Sequence, residues 1–132
     1  MKSVGIIGGM GALATCDLFN KIISNTSASK DQEHIHVYID NNTEIPDRTA
    51  AVLHGGESPV PQLVSSAIKL ELIGADVLIM PCNTAHYFYD EFIKYVNIPM
   101  IQMPKETAKE IKASKYNQAY IKKHLMRKKL II

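Results

Sequence analysis

The sequence contains few cysteine and aromatic residues and no long apolar run. Its 132 residues include two cysteines and no tryptophan, and 7% of them are aromatic. Two cysteines in unrelated contexts do not form the framework of a small secreted disulfide protein. No apolar run approaches the roughly 18 residues that span a bilayer. Since residues 1–4 do not resemble a secretory leader, we expect a cytoplasmic protein.

The composition is that of an ordinary globular domain, with 46% hydrophobic and 21% charged residues. Charge is unevenly distributed along the chain. Residues 1–104 hold six Lys/Arg and eleven Asp/Glu, a net charge of −5, and residues 105–132 hold nine and two, a net charge of +7. A basic helix is more often a solvated face than a nucleic-acid or membrane site, so neither partner is predicted.

Short apolar runs alternate with amphipathic segments, a pattern typical of an α/β fold. The spacing predicts strands at residues 3–7, 34–39, 76–80 and 99–103, with helices at 12–25, 58–73, 87–96 and 105–113 and a short one ending at residue 53. We therefore predict a four-stranded parallel sheet with flanking helices. Sites in such sheets form beyond the carboxyl ends of the strands, which directs attention to loops 8–11, 40–48 and 81–86.

Cys82 lies in the loop directly after the predicted strand at 76–80 and close to the start of a helix, the setting of a reactive cysteine. Asn83 and Thr84 add an amide and a hydroxyl that could hold a carboxylate. The alternative is a small buried side chain followed by an Asn/Thr cap. His86 lies four residues further on, but two potential ligands fall short of a zinc site, so no metal is predicted.

Arg48 carries the planar fork that binds a carboxylate through two hydrogen bonds. Its alternative is a surface ion pair with Asp47 or Glu44. Asp47 itself could accept the proton of a thiol, or it could be a turn residue.

Gly9, Gly11 and Ala14 follow a strand with the spacing of a dinucleotide-binding loop. Asp40, the acidic residue that could complete this motif, lies 29 residues beyond Gly11, where the motif expects one about 20 residues on. The weaker claim is a glycine loop that lets the backbone approach a small anion. A dinucleotide-binding fragment remains an alternative.

Taken together, these segments resemble the cofactor-independent aspartate/glutamate racemases, and most closely the aspartate racemase branch. The matching segments are IIGGMG at residues 6–11, AT at 14–15, HIH at 34–36, IDNN at 39–42, IPDRT at 45–49 and PCNTAH at 81–86.

The resemblance implies a fold of two similar α/β halves with the substrate between them. One thiol on each side of the substrate would exchange the α-proton, without pyridoxal phosphate or metal. The roles implied are catalysis for Cys82 and Asp47, binding of the side-chain carboxylate for Arg48, binding of the α-carboxylate for Asn83 and Thr84, and lining of the cleft for Met10, Gly9 and Gly11.

The resemblance covers residues 3–112, about one half of such a protein. We expect a racemase-like N-terminal domain at residues 1–113 and a basic, helical, divergent tail at 114–132. The second thiol is not in this truncated sequence, and Cys16 is predicted to pack in the core. Racemisation of aspartate or glutamate would then require two copies facing each other, and a homodimer is expected. The alternative from another class is a non-catalytic module that binds an acidic amino acid.

Overall fold

The computed structural model describes residues 2–113, which form a parallel sheet with flanking helices. The strands are β1 (Val4–Gly8), β2 (Val37–Asn41) and β3 (Val77–Ile79). The helices are α1 (Ala12–Ser24), α2 (Arg48–Leu53), α3 (Val60–Leu72), α4 (Tyr89–Phe92) and α5 (Met103–Ala113). Short 3₁₀ segments lie at Asp31–Glu33, Thr84–Phe88 and Ile93–Tyr95. The predicted tail at 114–132 lies outside the described residues.

The strand order is β2-β1-β3, and both pairings are parallel. β1 is central because its apolar run, Val4 to Ile7, suits a strand covered on both faces. Its first residue pairs with Val37 on one side and with Val77 on the other. The α/β class and the parallel sheet predicted from the sequence are confirmed.

The fourth strand predicted at residues 99–103 is wrong for the described part of the chain, where the sheet has three strands. The segment does run beside β3, since Leu78 N donates to Pro99 O and Ile101 N donates to Leu78 O, each at 2.9 Å. A single parallel bridge, between Leu78 and Met100, is all that forms. Pro99 has no N–H to extend the ladder, and α5 begins at Met103.

The predicted helix at 87–96 is divided into a 3₁₀ segment that begins at Thr84, the one-turn α4 and a second 3₁₀ segment. The chain there follows the surface of α3, which contacts both α4 and the segment after it. Phe88 and Phe92 are buried in the process. Packing of these aromatic residues on α3 therefore outweighs helical regularity.

One face of the sheet carries the closed core. Gly5 faces α3, because a Cβ placed there would lie 3.0 Å from Ala75 Cβ and 3.1 Å from Leu70 Cβ. Ile7 has the same orientation and is fully buried. The core cluster around it joins the sheet, α3 and α4, with these main members: Ile7, Leu63, Ala67, Leu70, Leu78, Met80, Phe88 and Phe92.

The other face, on the side of α1, is thinly covered by the described residues. Gly8 faces α1, since a Cβ there would lie 2.6 Å from the Thr15 side chain. Thr15 is the buried residue of α1, whereas Leu13 is 87% exposed. Ile39 lies on this face of β2 and is 41% exposed. Grooves of about 340 and 230 Å³ run along α1, one toward β2 and one toward α5.

Helical spacing correctly predicts α1 but not which of its residues are buried. Cys16 is exposed, so its predicted place in the core is wrong. The helix presents only its Thr15 side to β1, and the cysteine lies at the next position around the axis. Within residues 2–113, none of the helices is long and apolar enough to cross a membrane.

A polar clasp joins the amino-terminal ends of β1 and β3. Asp76 Oδ2 accepts from Ser3 N at 2.7 Å and from Ser3 Oγ at 2.8 Å. The backbone bond first, and then the hydroxyl bond, lower the pKa of Asp76 from its usual 3.8. Because hydrogen bonds to a carboxylate favour its charged form, the clasp is at full strength above that value.

We expect Asp76→Asn to reduce the loss of stability on acidification. The folded pKa is lowered, so the unfolded chain binds more protons as pH falls below 3.8, and the clasp is lost through the folded-state pKa. Urea unfolding at a series of pH values measures this slope. Asp90→Asn, at an exposed carboxylate without a hydrogen-bond partner among the described residues, is the control. Equal slopes in both variants would contradict the prediction.

Candidate active site

Three loops converge at the carboxyl edge of the sheet. Each follows a strand, and each contributes a buried residue to the same core cluster: Met10 after β1, Ile45 after β2 and Cys82 after β3. Parallel strands place their carboxyl ends at one edge, which is why segments far apart in sequence meet here. The loops selected in the sequence analysis therefore lie together.

Gly9 sets the position of the loop after β1. Its φ is +91°, and a Cβ would lie 2.3 Å from the backbone oxygen of Asn42. Only glycine permits this backbone conformation together with this contact. Thr15 fixes the loop, since its Oγ1 accepts from Gly9 N and donates to Gly11 O, both at 3.1 Å. Gly11 faces open space, with nothing within 4 Å of a Cβ placed there.

This arrangement bears on the dinucleotide alternative. The close approach that Gly9 allows is to the chain's own Asn42 and not to open space. Asp40, the acidic residue proposed for a ribose, has its Oδ2 buried. The glycine loop is thus used to bring the ends of β1 and β2 together.

The thiol turn, residues 81–86, carries Cys82 at its start. The Cys82 thiol is free and 6% exposed. Asn83 precedes the 3₁₀ segment Thr84–Phe88 and makes no side-chain capping bond. The alternative in which Asn83 acts as a cap is therefore not what the structure shows. Asn83 is half-buried, and Thr84 is exposed.

Arg48 begins α2, and its guanidinium has no carboxylate partner among residues 2–113. Nη1 donates to Pro46 O at 3.0 Å and to Ile45 O at 3.3 Å. Nε is buried without a hydrogen-bond partner in this part of the chain. The alternative of a surface ion pair with Asp47 or Glu44 is thus wrong. Because the loop carbonyls occupy Nη1, Nε and Nη2 are the donors of the guanidinium that no acceptor takes up among the described residues.

Asp47 caps α2, with Oδ1 accepting from Ala50 N at 2.6 Å. Its side chain is exposed, and among the described residues no hydrogen bond joins it to Cys82. The structure therefore accounts for Asp47 as a turn and cap residue. The helix that Arg48 begins, α2, contacts the 3₁₀ segment Thr84–Phe88 that follows Cys82.

Asn42 has a structural role at this edge that the sequence analysis did not assign. Asn42 is buried, and its Nδ2 donates to Gln62 Oε1 and to Ser66 Oγ, both at 3.0 Å. Its Oδ1 accepts from Glu44 N at 3.0 Å. These bonds anchor the loop before Arg48 to α3. Two consecutive asparagines after a strand are a turn signal, but their spacing does not reveal that one is buried.

His86 closes the thiol turn, with Nδ1 2.7 Å from Cys82 O. Burial lowers the pKa of His86 from its usual 6.5, and the bond to Cys82 acts in the opposite direction. Within the described chain, no group of three or more His, Cys, Asp and Glu side chains could hold a metal ion.

The known proteins that are similar to this chain are racemases and racemase homologues. The family described as Asp/Glu/hydantoin racemase matches residues 7–121. The broad specificity amino-acid racemase RacX of Bacillus subtilis (strain 168) is 32% identical over 114 residues, which is 82% of this chain and 48% of that protein.

Two solved structures are also similar. Picrophilus torridus aspartate racemase has a TM-score of 0.83 and 40% identity, covering 89% of this chain and 50% of that one. An aspartate racemase homologue from Pyrococcus horikoshii OT3 has a TM-score of 0.72 and 26% identity, covering 86% and 50%. The chain thus spans about half the length of these relatives.

Proposed function

The chain belongs to the Asp/Glu/hydantoin racemase family, and on that premise we propose that it provides one half of an amino-acid racemase site. Cys82 removes the α-proton of a small acidic amino acid, aspartate or glutamate. Arg48 binds the side-chain carboxylate, and Asn83 and Thr84 bind the α-carboxylate. The reaction proceeds without pyridoxal phosphate or metal.

The guanidinium of Arg48, which has no carboxylate partner among the described residues, is the observation that carries this proposal. A half-buried cation ordinarily has a partner, because its desolvation is costly. Here Nε lacks one among the described residues, and the residue begins a helix that contacts the thiol turn. A ligand carboxylate would neutralise this charge. This charge balance favours an acidic amino acid over a neutral one.

The chemistry requires a base on one face of the α-carbon and an acid on the other. The Cys82 thiolate takes the proton and becomes a thiol, while the electron pair of the C–H bond moves into the α-carboxylate. Inversion then needs a proton from the opposite face. Cys16, the other thiol of this chain, is exposed on α1, whereas Cys82 is buried in the cluster shared by the site loops. We therefore propose that two copies of the chain face each other and each supplies Cys82.

The remaining predicted site residues support this half-site. Met10 is buried in the cluster that contains Cys82, and we propose that its loop, with Gly9 and Gly11 on either side of it, lines the cleft. Asp47 uses Oδ1 for its cap. Its second oxygen makes no hydrogen bond among the described residues, and we propose that it accepts a proton from the thiol when substrate binds.

Proton exchange in deuterated water tests the proposal. The full chain is incubated separately with L- and D-aspartate, L- and D-glutamate and L-alanine, and loss of the α-proton signal is followed by NMR. We expect exchange with an acidic amino acid and none with alanine. Inversion alongside exchange would support a second thiol from a facing copy. Binding of aspartate without exchange would instead support the non-catalytic module.

Arg48→Gln tests the anchor. Removal of a charge-assisted, two-point contact is expected to raise KM for the acidic substrate about 10- to 100-fold, with a smaller effect on kcat. Arg48→Lys keeps the charge but not the planar fork, so its KM should lie between that of the parent and that of Arg48→Gln. Lys69→Gln, at an exposed cation on α3, is the matched control. A loss of kcat with KM unchanged in Arg48→Gln would contradict the assigned role.

A further inference from the structure

His86 is bound to the residue that carries the thiol. Its Nδ1 lies 2.7 Å from Cys82 O, four residues earlier in the chain. A carbonyl oxygen only accepts hydrogen bonds, so the proton of this bond belongs to Nδ1. The bond therefore fixes the tautomer of the imidazole as well as its orientation.

The second ring nitrogen indicates the charge of the imidazole. His86 Nε2 is buried and has no hydrogen-bond partner among the described residues. A proton on Nε2 would be a buried donor without an acceptor, which is costly. Burial accordingly lowers the pKa of His86. The ring is neutral at neutral pH, and its one N–H is committed to the Cys82 carbonyl.

Among the described residues, this is the only side-chain hydrogen bond made within the thiol turn. Asn83 makes no capping bond, and the following 3₁₀ segment is five residues long. One backbone bond, from His86 N to Asn83 O at 3.1 Å, spans the same turn. The imidazole therefore determines where the Cys82 carbonyl points. Because the peptide between Cys82 and Asn83 is planar and trans, the direction of this carbonyl also fixes the direction of the Asn83 N–H and the ψ angle of Cys82.

We propose that His86 is a positioning residue for Cys82, holding its carbonyl through Nδ1–H so that the thiol stays buried and aimed at the substrate. This role rests on the proposed function of Cys82. The neutral ring with its committed proton is neither the base nor a counter-ion of the thiolate. What matters is a donor at the position of Nδ1.

Substitution of His86 by asparagine or glutamine distinguishes the roles of the two ring nitrogens. The amide nitrogen of asparagine replaces Nδ1, and that of glutamine replaces Nε2. The chain already shows that asparagine can make this bond, since Asn25 Nδ2 donates to Lys21 O at 2.8 Å across the same four-residue spacing. His86→Asn is therefore the conservative variant. His86→Gln and His86→Phe remove the donor from the Nδ1 position.

The first measurement does not depend on racemase activity. In a Cys16→Ser background, which leaves one thiol, the rate of Cys82 alkylation by iodoacetamide is compared among the variants. We expect alkylation about tenfold faster in His86→Gln and His86→Phe, the effect of losing one neutral hydrogen bond, and within about twofold of the parent in His86→Asn. Gly55→Ala, at an open loop position, shows how much alkylation follows from lost stability alone.

The second measurement is proton exchange with the substrate. Displacing the thiol while leaving Arg48 in place should lower kcat about tenfold with KM within about twofold, and His86→Asn should restore kcat. The inference is overturned if His86→Asn is as impaired as His86→Phe, or if glutamine and phenylalanine change neither measurement beyond the Gly55→Ala control. If the parent chain exchanges no proton, the proposed function fails, and the alkylation series decides on His86 by itself.

Discussion

Alanine in place of Cys82 is expected to abolish α-proton exchange. The thiolate is the only base that the proposal places at the α-carbon, and positioned proton transfer is worth about 10²- to 10⁴-fold. We therefore expect the exchange rate to fall by about 10³-fold or more. The measurement is the α-proton NMR signal of aspartate or glutamate in deuterated water. Affinity for the amino acid should change little, because Arg48 and the turn are retained.

The chain provides its own control for this experiment. Cys16 is the second free thiol and is exposed on α1, so Cys16→Ala should leave exchange unchanged. Cys82→Ser keeps the size of the buried side chain, and its hydroxyl is too weak an acid to act as the base. Loss of exchange in Cys82→Ser as well as Cys82→Ala would exclude a packing defect. If exchange persists in both variants, and each has the same circular dichroism spectrum as the parent chain, Cys82 is ruled out as the base.

Gly9→Ala is expected to be the most destabilising single-methyl change at the site. The residue has a φ of +91°, and the added Cβ would lie 2.3 Å from Asn42 O and 2.4 Å from Asn42 C. These are backbone atoms of the β2 end, which no side-chain rotation can move aside. Strain and clash together should lower the free energy of unfolding by about 3 kcal/mol or more.

Gly55→Ala separates the two contributions to this loss. Gly55 has a φ of +62° but open space around its Cβ position. Alanine there should cost only the left-handed backbone, about 1–2 kcal/mol. Urea unfolding followed by circular dichroism gives both free energies under one condition. If the two variants lose the same stability, the contact between Gly9 and Asn42 is not the constraint that the geometry indicates.

Much of the architecture could be predicted from the sequence because its causes are local. The apolar run of β1 and the glycines after it predict a buried strand and a turn, and both are present. The prediction of a strand at 99–103 failed because of the segment's first residue, Pro99, and because of the helix that begins within it. The segment is apolar, but pairing beside β3 stops after one bridge because proline lacks an N–H and α5 begins at once.

The candidate site also has features that could be predicted from the sequence and features that could not. That three loops meet could be predicted from the geometry of parallel sheets, which fixes where strands end. The absence of an ion pair at Arg48 and the free amide of Asn83 could not, since both depend on which acceptors tertiary packing brings near. The burial of α1 was also beyond reach, because helical spacing shows that a helix has an apolar side but not what covers it.

The strand order has a consequence for how the chain folds. β1 is made first and occupies the centre of the sheet, yet its partner in β3 lies 73 residues later, where Val4 pairs with Val77. No two strands of this sheet are joined by a hairpin, so each pairing must close a long loop before it gains any stability. Such high contact order predicts slow folding. During synthesis, one edge of the central strand stays unpaired until β3 has left the ribosome. The chain is most exposed to aggregation in that interval.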